Sequence, residues 1–269
     1  ANSSSPKIIA FYAEKGGVGK TTLCTTIGYT LAAFGYRTLI YDCDAQRSLT
    51  SWIFGNNIEL NHSKSPNRID AFSEGINYGT DYHKTLYEQV ICNESQVKPA
   101  KALRARENLY VVMGSRNIPK LDKIIVNLEA LSSSAFSAIA GNIPNSKTAK
   151  PYHSIMRTAE HYKIDFVLLD LNPYPGILNR CLIMSSHYII VPTFPDTFSR
   201  ETLHTMIESL QEWRNEINQL KESTNRSDFK WPPHSPKFLG YILSMFSQNN
   251  KRVRQETGNG NQDINWSAK

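Results

Sequence analysis

Glu14-Lys15-Gly16-Gly17-Val18-Gly19-Lys20-Thr21-Thr22 is the stretch from which the rest of the chain can be read. The apolar run Ile8-Ile9-Ala10-Phe11-Tyr12-Ala13 stands before it and predicts a buried strand. Leu23, Ile27 and Leu31 follow it four apart, which predicts a helix with those three side chains on its inner face. Strand, glycine-rich turn and helix together form the setting of a phosphate-binding loop. Glycines let consecutive backbone N–H groups converge on one anion, and the positive end of the next helix faces the same point. Lys20 is then placed to reach terminal phosphates and the Thr21 hydroxyl to ligate Mg2+, with Gly16, Gly17, Val18, Gly19 and Thr22 completing the cradle.

Working outward, Thr38-Leu39-Ile40-Tyr41 predicts a second strand that runs into Asp42-Cys43-Asp44-Ala45-Gln46. Carboxylates at a strand end beside a phosphate loop serve a metal or a water. Phe166-Val167-Leu168-Leu169 predicts the most hydrophobic strand, closed by Asp170-Leu171-Asn172-Pro173. An acidic residue ending a buried apolar strand is placed to hold Mg2+ through water. Further strands are expected at 108–112, 188–192 and 238–243, and helices at 47–54, 121–131, 154–162 and 176–184. A long amphipathic helix should begin with Ser199 as N-cap and bury Leu203, Ile207, Leu210, Trp213, Ile217 and Leu220. This alternation predicts an α/β fold, a doubly wound and mainly parallel sheet with helices on both faces. The three motifs then lie at carboxyl ends of strands, where such sheets bind ligands.

The loop departs from the general pattern, because Glu14 stands where its first glycine is expected and a second lysine, Lys15, follows. Lys15 ahead of Gly-Gly-x-Gly-Lys-Thr-Thr resembles the deviant Walker A motif of the ParA/MinD family of P-loop ATPases. Asp42 to Gln46 is similar to that family's Asp-x-Asp-Pro-Gln segment, with Ala45 in place of proline, and Asp170 to Pro173 to its Asp-Thr-Pro-Pro segment. The resemblance spans most of residues 7–246. It implies ATP and Mg2+ as cofactors, Lys15 reaching across a homodimer interface to the partner's nucleotide, Asp42 with Thr21 and Asp170 in the magnesium shell, and Asp44 positioning the attacking water. Glu14 precedes the cradle and should point away from the γ-phosphate, which also favours Asp44 for that task. Further implications are a weak ATPase that dimerises around two ATP molecules, binds DNA without sequence preference, and is reset by a ParB-like or other activating adaptor. The setting would be cytoplasmic and nucleoid-associated, in plasmid or chromosome segregation. A membrane-cycling relative of the MinD kind needs a C-terminal amphipathic helix that is not visible, and an ATP-dependent metabolic enzyme on the same scaffold is the other alternative.

Composition sets outer bounds. The 269 residues suit one large α/β domain, with 1–6 a polar tail and 7–269 the ATPase domain. A polar insertion is expected at about 55–100, and the chain stops before the further helix, strand and helix that family members normally add. No apolar run approaches the roughly 20 residues needed to cross a bilayer. Cys24, Cys43, Cys92 and Cys181 are scattered, as buried thiols in a reducing compartment would be, and the seven histidines lack ligand spacing. The net charge of +6 suits polyanion binding and equally a solvated basic surface, as does the loose cluster Lys98, Lys101, Arg104 and Arg106.

Overall fold

The computed structural model describes residues 5–55, 99–100, 102–114, 149–174, 176–195, 197–223 and 232–244. In chain order the elements are β1 (Lys7–Phe11), α1 (Lys20–Ala33), β2 (Thr38–Cys43), α2 (Ser48–Phe54), β3 (Leu103–Arg106) and β4 (Leu109–Val112). They continue as α3 (Ala149–His161), β5 (Phe166–Leu171), α4 (Ile177–Met184), β6 (Tyr188–Thr193), α5 (Thr197–Ser223) and β7 (Lys237–Leu243).

The strands form one sheet in the order β3-β4-β2-β5-β1-β6-β7. All neighbours are parallel except β3 and β4. The central strands are mostly apolar because both their faces are covered, with Asp42 and Asp170 at their carboxyl ends. β5 lies between β1 and β2, and β1 between β5 and β6. The chain therefore reverses direction across the sheet beside β1, which opens a crevice at the carboxyl ends of β1, β2 and β5. Register brings Phe11 and Asp42 to either side of Asp170.

One core cluster includes Ile8, Ala10, Tyr41, Leu169, Ile183 and Ile189. The other includes Phe11, Ile40, Leu109, Val111 and Leu168. α1 meets the sheet differently from the sequence expectation. Its buried side is Lys20, Cys24, Thr25, Gly28 and Ala32, while Leu23, Ile27 and Leu31 are half-buried and pack at the flank. Small residues face inward because the helix approaches closely. A Cβ on Gly28 would lie 2.5 Å from Ile40 Cδ1, the tip of a side chain.

α5 also corrects the reading. It begins at Thr197, ahead of the expected start, so Ser199 lies inside its first turn. Met206 is buried on its inner side and Ile207 is 40 % exposed, while Leu203, Leu210 and Trp213 pack partly against the core. The sequence reading had no counterpart for β3, which pairs antiparallel with β4 at the sheet edge and exposes Arg104 and Arg106. At the opposite edge β7 leaves Phe238, Leu239, Tyr241, Ile242 and Leu243 exposed. Cys24, Cys43 and Cys181 are buried free thiols. The insertion between 56 and 98, the helix expected at 121–131, the tail from 248, and Lys98 and Lys101 lie outside the described residues, as do the side chains of Ile217 and Leu220. Among the described residues no helix is long and apolar enough to cross a membrane.

Candidate functional site

The turn from β1 to α1 takes the shape its glycines allow. Gly17 (φ 77°) and Gly19 (φ 84°) adopt left-handed backbone that L side chains resist. Gly16 and Gly17 are exposed, and a Cβ on either would meet nothing within 4 Å, so bare backbone borders open space there. The Gly19 carbonyl accepts the Leu23 N–H at 2.8 Å and starts α1, placing Lys20, Thr21 and Thr22 in its first turn. Unsatisfied N–H groups at such a helix end favour an anion.

Lys20 is 8 % exposed. Burial lowers its pKa, while Asp170 and Asp44 work in the opposite direction. Asp170 is 1 % exposed, and neither carboxylate oxygen completes a hydrogen bond of ordinary geometry. Burial pushes its pKa up to about 7, aided by the charges of Asp42 and Asp44 and opposed by the Thr21 hydroxyl that faces it and by Lys20. A buried carboxylate whose oxygens lack well-formed hydrogen bonds is costly. A divalent cation with its waters would satisfy it, and a serine or threonine hydroxyl with an aspartate is a magnesium-type donor set.

Asp42 has a different environment. It is fully buried, and Oδ2 accepts the Thr50 backbone N–H at 2.8 Å and the Thr50 hydroxyl at 2.5 Å, while Oδ1 accepts the Asp44 N–H at 3.2 Å. The Thr50 oxygen in turn accepts the Gly114 N–H at 3.0 Å. A Cβ on Gly114 would sit 2.8 Å from the Asp42 carboxyl carbon, so this glycine is required for close approach. The relay Gly114–Thr50–Asp42 joins the end of β4, α2 and the end of β2. Burial raises the Asp42 pKa and the Thr50 bonds lower it. The Asp42 carboxylate thus holds the loop that follows it, on the strand next to Asp170.

Asp44 is half-buried at the start of a turn. Its Oδ1 accepts the Gln46 N–H at 2.9 Å and its carbonyl the Arg47 N–H at 3.0 Å. Arg47, at φ 56°, then turns the chain into α2. Asn172, which departs from the expected segment, donates to the Cys43 carbonyl at 3.4 Å and accepts the Tyr174 N–H at 2.8 Å, so it ties the loop after β5 to that after β2. Lys15 is half-buried, with its ammonium 4.9 Å from the centre of the Phe194 ring.

The structure thus gathers Lys20, Thr21, Asp42, Asp44 and Asp170 at one crevice, with Lys15 at its rim over Phe194. Sequence reasoning missed Thr50, Gly114 and Phe194. A separate cavity of about 500 Å3 between α1 and α2 is lined by Thr26, Tyr29, Thr30 and Trp52 and, among the described residues, by no charged group. The cations and carboxylates lie instead at the loop after β1.

Comparison with known proteins places these features in a family. Residues 6–222 match the family described as AAA domain. Protein MJECL24 of Methanocaldococcus jannaschii is 25 % identical over 244 residues, covering 91 % of this chain and 75 % of its own length. Cell division protein PomZ of Myxococcus xanthus is 25 % identical over 207 residues, covering 77 % of this chain and 52 % of its own. Among solved structures, cobyrinic acid a,c-diamide synthase of Mycobacterium smegmatis with a bound ATP analogue and magnesium aligns at TM-score 0.59 and 18 % identity, over 94 % of this chain and 81 % of that one. A plasmid partition protein of Borrelia burgdorferi bound to AMPPNP aligns at TM-score 0.55 and 18 % identity, over 93 % and 94 %.

Proposed function

Because the chain belongs to the AAA domain family and is a ParA/MinD-like P-loop ATPase, we propose that it binds ATP with Mg2+ and hydrolyses it slowly to drive partition or positioning of a cargo. The observation that carries this reading is Asp170, a buried carboxylate with no hydrogen bond of ordinary geometry on either oxygen, facing the Thr21 hydroxyl and the charge of Lys20. Asp170 and Thr21 would hold magnesium, which when bound neutralises charge on the phosphates. Lys20 supplies positive charge to the β- and γ-phosphates from the first turn of α1. Asp44 orients the attacking water, since its Oδ1 is committed to its own turn and that bond fixes the carboxylate's direction. Asp42 holds the water-bearing loop in place through Thr50.

Lys15 serves the nucleotide of a second copy, so the ATP-bound state is a homodimer. That dimer binds DNA without sequence preference, and an adaptor of the ParB kind resets it by stimulating hydrolysis. This would make it a cytoplasmic, nucleoid-associated protein, with residues 7–269 forming one ATPase domain. Support comes from the likeness to PomZ and to the Borrelia partition protein, together with the lysine at position 15.

Light scattering and DNA pelleting with ATP, ADP or no nucleotide test the proposal. The wild type should dimerise and pellet with DNA only with ATP and Mg2+. Lys15→Ala should bind ATP without dimerising. Asp44→Ala should dimerise and stay on DNA while single-turnover hydrolysis falls about ten-fold, roughly 1.4 kcal/mol in the barrier. Equal retention on DNA with ATP and ADP overturns the switch, and ATP-dependent retention on anionic liposomes without DNA binding would favour the membrane-cycling alternative.

A further inference from the structure

The carbonyl of Val18, the residue between the two left-handed glycines, accepts a 2.6 Å hydrogen bond from the hydroxyl of Ser244, 226 positions away and directly after β7. The Thr193 carbonyl lies 3.2 Å from the same hydroxyl, so the single hydroxyl proton is best used by the nearer Val18. Ser244 is itself pinned, because its backbone N–H donates to the Thr193 carbonyl at 2.9 Å and continues the β6–β7 ladder. Its Cβ lies 3.7 Å from where a Cβ on Gly19 would stand, so the end of β7 also packs against the next residue of the loop.

These contacts determine the direction of one peptide plane. The C=O and N–H of a trans peptide point in opposite directions. With the Val18 carbonyl held toward Ser244, the Gly19 N–H must point away from β7. Gly19 has no Cβ, so without the anchor this plane could rotate at little steric cost. A phosphate loop works only if its N–H groups stay turned to the anion before it arrives, and ordering them at the moment of binding costs affinity.

We propose that Ser244 is a positioning residue for nucleotide phosphates, its hydroxyl fixing the Val18–Gly19 peptide so that the Gly19 N–H faces the anion. This rests on the nucleotide reading above and extends it, making the last residue of the β6–β7 ladder part of the phosphate site. Because Ser244 extends β7, a distortion of that edge strand is transmitted to the loop.

The test is titration of a fluorescent ATP analogue with Mg2+ into the wild type, Ser244→Ala, Ser244→Thr and Ser244→Cys, with the melting temperature of each nucleotide-free protein measured alongside. Ser244→Ala should bind about ten-fold more weakly, the scale of one hydrogen bond whose partner is left buried. Ser244→Thr keeps the hydroxyl and should bind within about two-fold of wild type. Ser244→Cys keeps the size with a poor donor and should lose several-fold, which decides the matter if the alanine variant does not fold. A lower melting temperature with unchanged affinity in the alanine and cysteine variants makes the contact purely structural and overturns the inference. A wild type that binds no nucleotide overturns the nucleotide reading itself, an outcome distinct from equal binding by all four proteins.

Discussion

Replacing Asp170 by asparagine should make the nucleotide-free protein more stable at alkaline pH while disabling it. In the folded chain this carboxyl is 1 % exposed with no hydrogen bond of ordinary geometry on either oxygen, and burial raises its pKa from 3.8 to about 7 against the Thr21 hydroxyl and Lys20. The folded value lies above the unfolded one, so the native state holds the proton more tightly. The stability this contributes is fully present below about pH 4 and is lost as pH rises through 7. Each pH unit in that window corresponds to about 1.4 kcal/mol. Between pH 5 and pH 8 the wild type should therefore lose about 3 kcal/mol that Asp170→Asn, which does not ionise, keeps. Any fixed cost of burying the amide cancels in this difference. Urea unfolding of both proteins at the two pH values, in the presence of a chelator, measures it. Addition of Mg2+ and an ATP analogue should reverse the ranking at pH 8, because only the carboxylate ligates the metal and ligand binding stabilises the folded state. If the two proteins keep the same stability difference at pH 5 and pH 8, the carboxylate is not an unpaired buried charge, and the argument that it waits for a cation fails.

Lys20→Ala should weaken ATP binding by about 2–4 kcal/mol, the scale of a lost buried charge contact, read by titration with a fluorescent analogue. Thr50→Val removes the hydroxyl that links Gly114 to Asp42 at nearly constant volume, and should cost about 2–3 kcal/mol in urea unfolding by leaving Gly114 N–H and part of the Asp42 carboxylate unpaired. Its single-turnover hydrolysis should fall with ATP affinity largely kept. At the far end of the strands, burial together with His234 and Lys7 lowers the His187 pKa to about 4, and its Nδ1 accepts the Ile8 N–H at 3.1 Å. Its neutral form therefore stabilises the fold above about pH 6.5 and that contribution is lost as pH falls toward 4. Melting curves of wild type and His187→Gln should converge across that window.

The fold was legible because central parallel strands are covered on both faces and read as unbroken apolar runs, as at Ile8–Phe11, Thr38–Tyr41 and Phe166–Leu169. Two features escaped for physical reasons. Leu103-Arg104-Ala105-Arg106 is short and basic, as edge strands are when they resist pairing with another chain, and such a strand looks like a solvated loop. The inner face of α1 was misplaced because periodicity follows large apolar residues, whereas a helix lying close to a sheet needs its small ones inside.

The site divides along a similar line. Lys15, Lys20, Thr21, Asp42, Asp44 and Asp170 were visible because they stand in short motifs beside strand ends, and each is near its neighbours in sequence. Thr50, Gly114 and Ser244 act through contacts 8, 64 and 226 positions away, and a lone threonine, glycine or serine carries no such distance in its local pattern. Gly114 alone left a trace. It closes an apolar strand at a position that does not require positive φ, which points to close approach rather than a turn, and the group it admits is the Asp42 carboxylate. Its distant partner also changes what a motif residue does. Asp42 reads as a metal ligand beside Asp44, and with Thr50 on one oxygen and the Asp44 N–H on the other it also anchors the loop that carries Asp44. A change at Thr50, which acts through Asp42, should therefore alter hydrolysis more than binding.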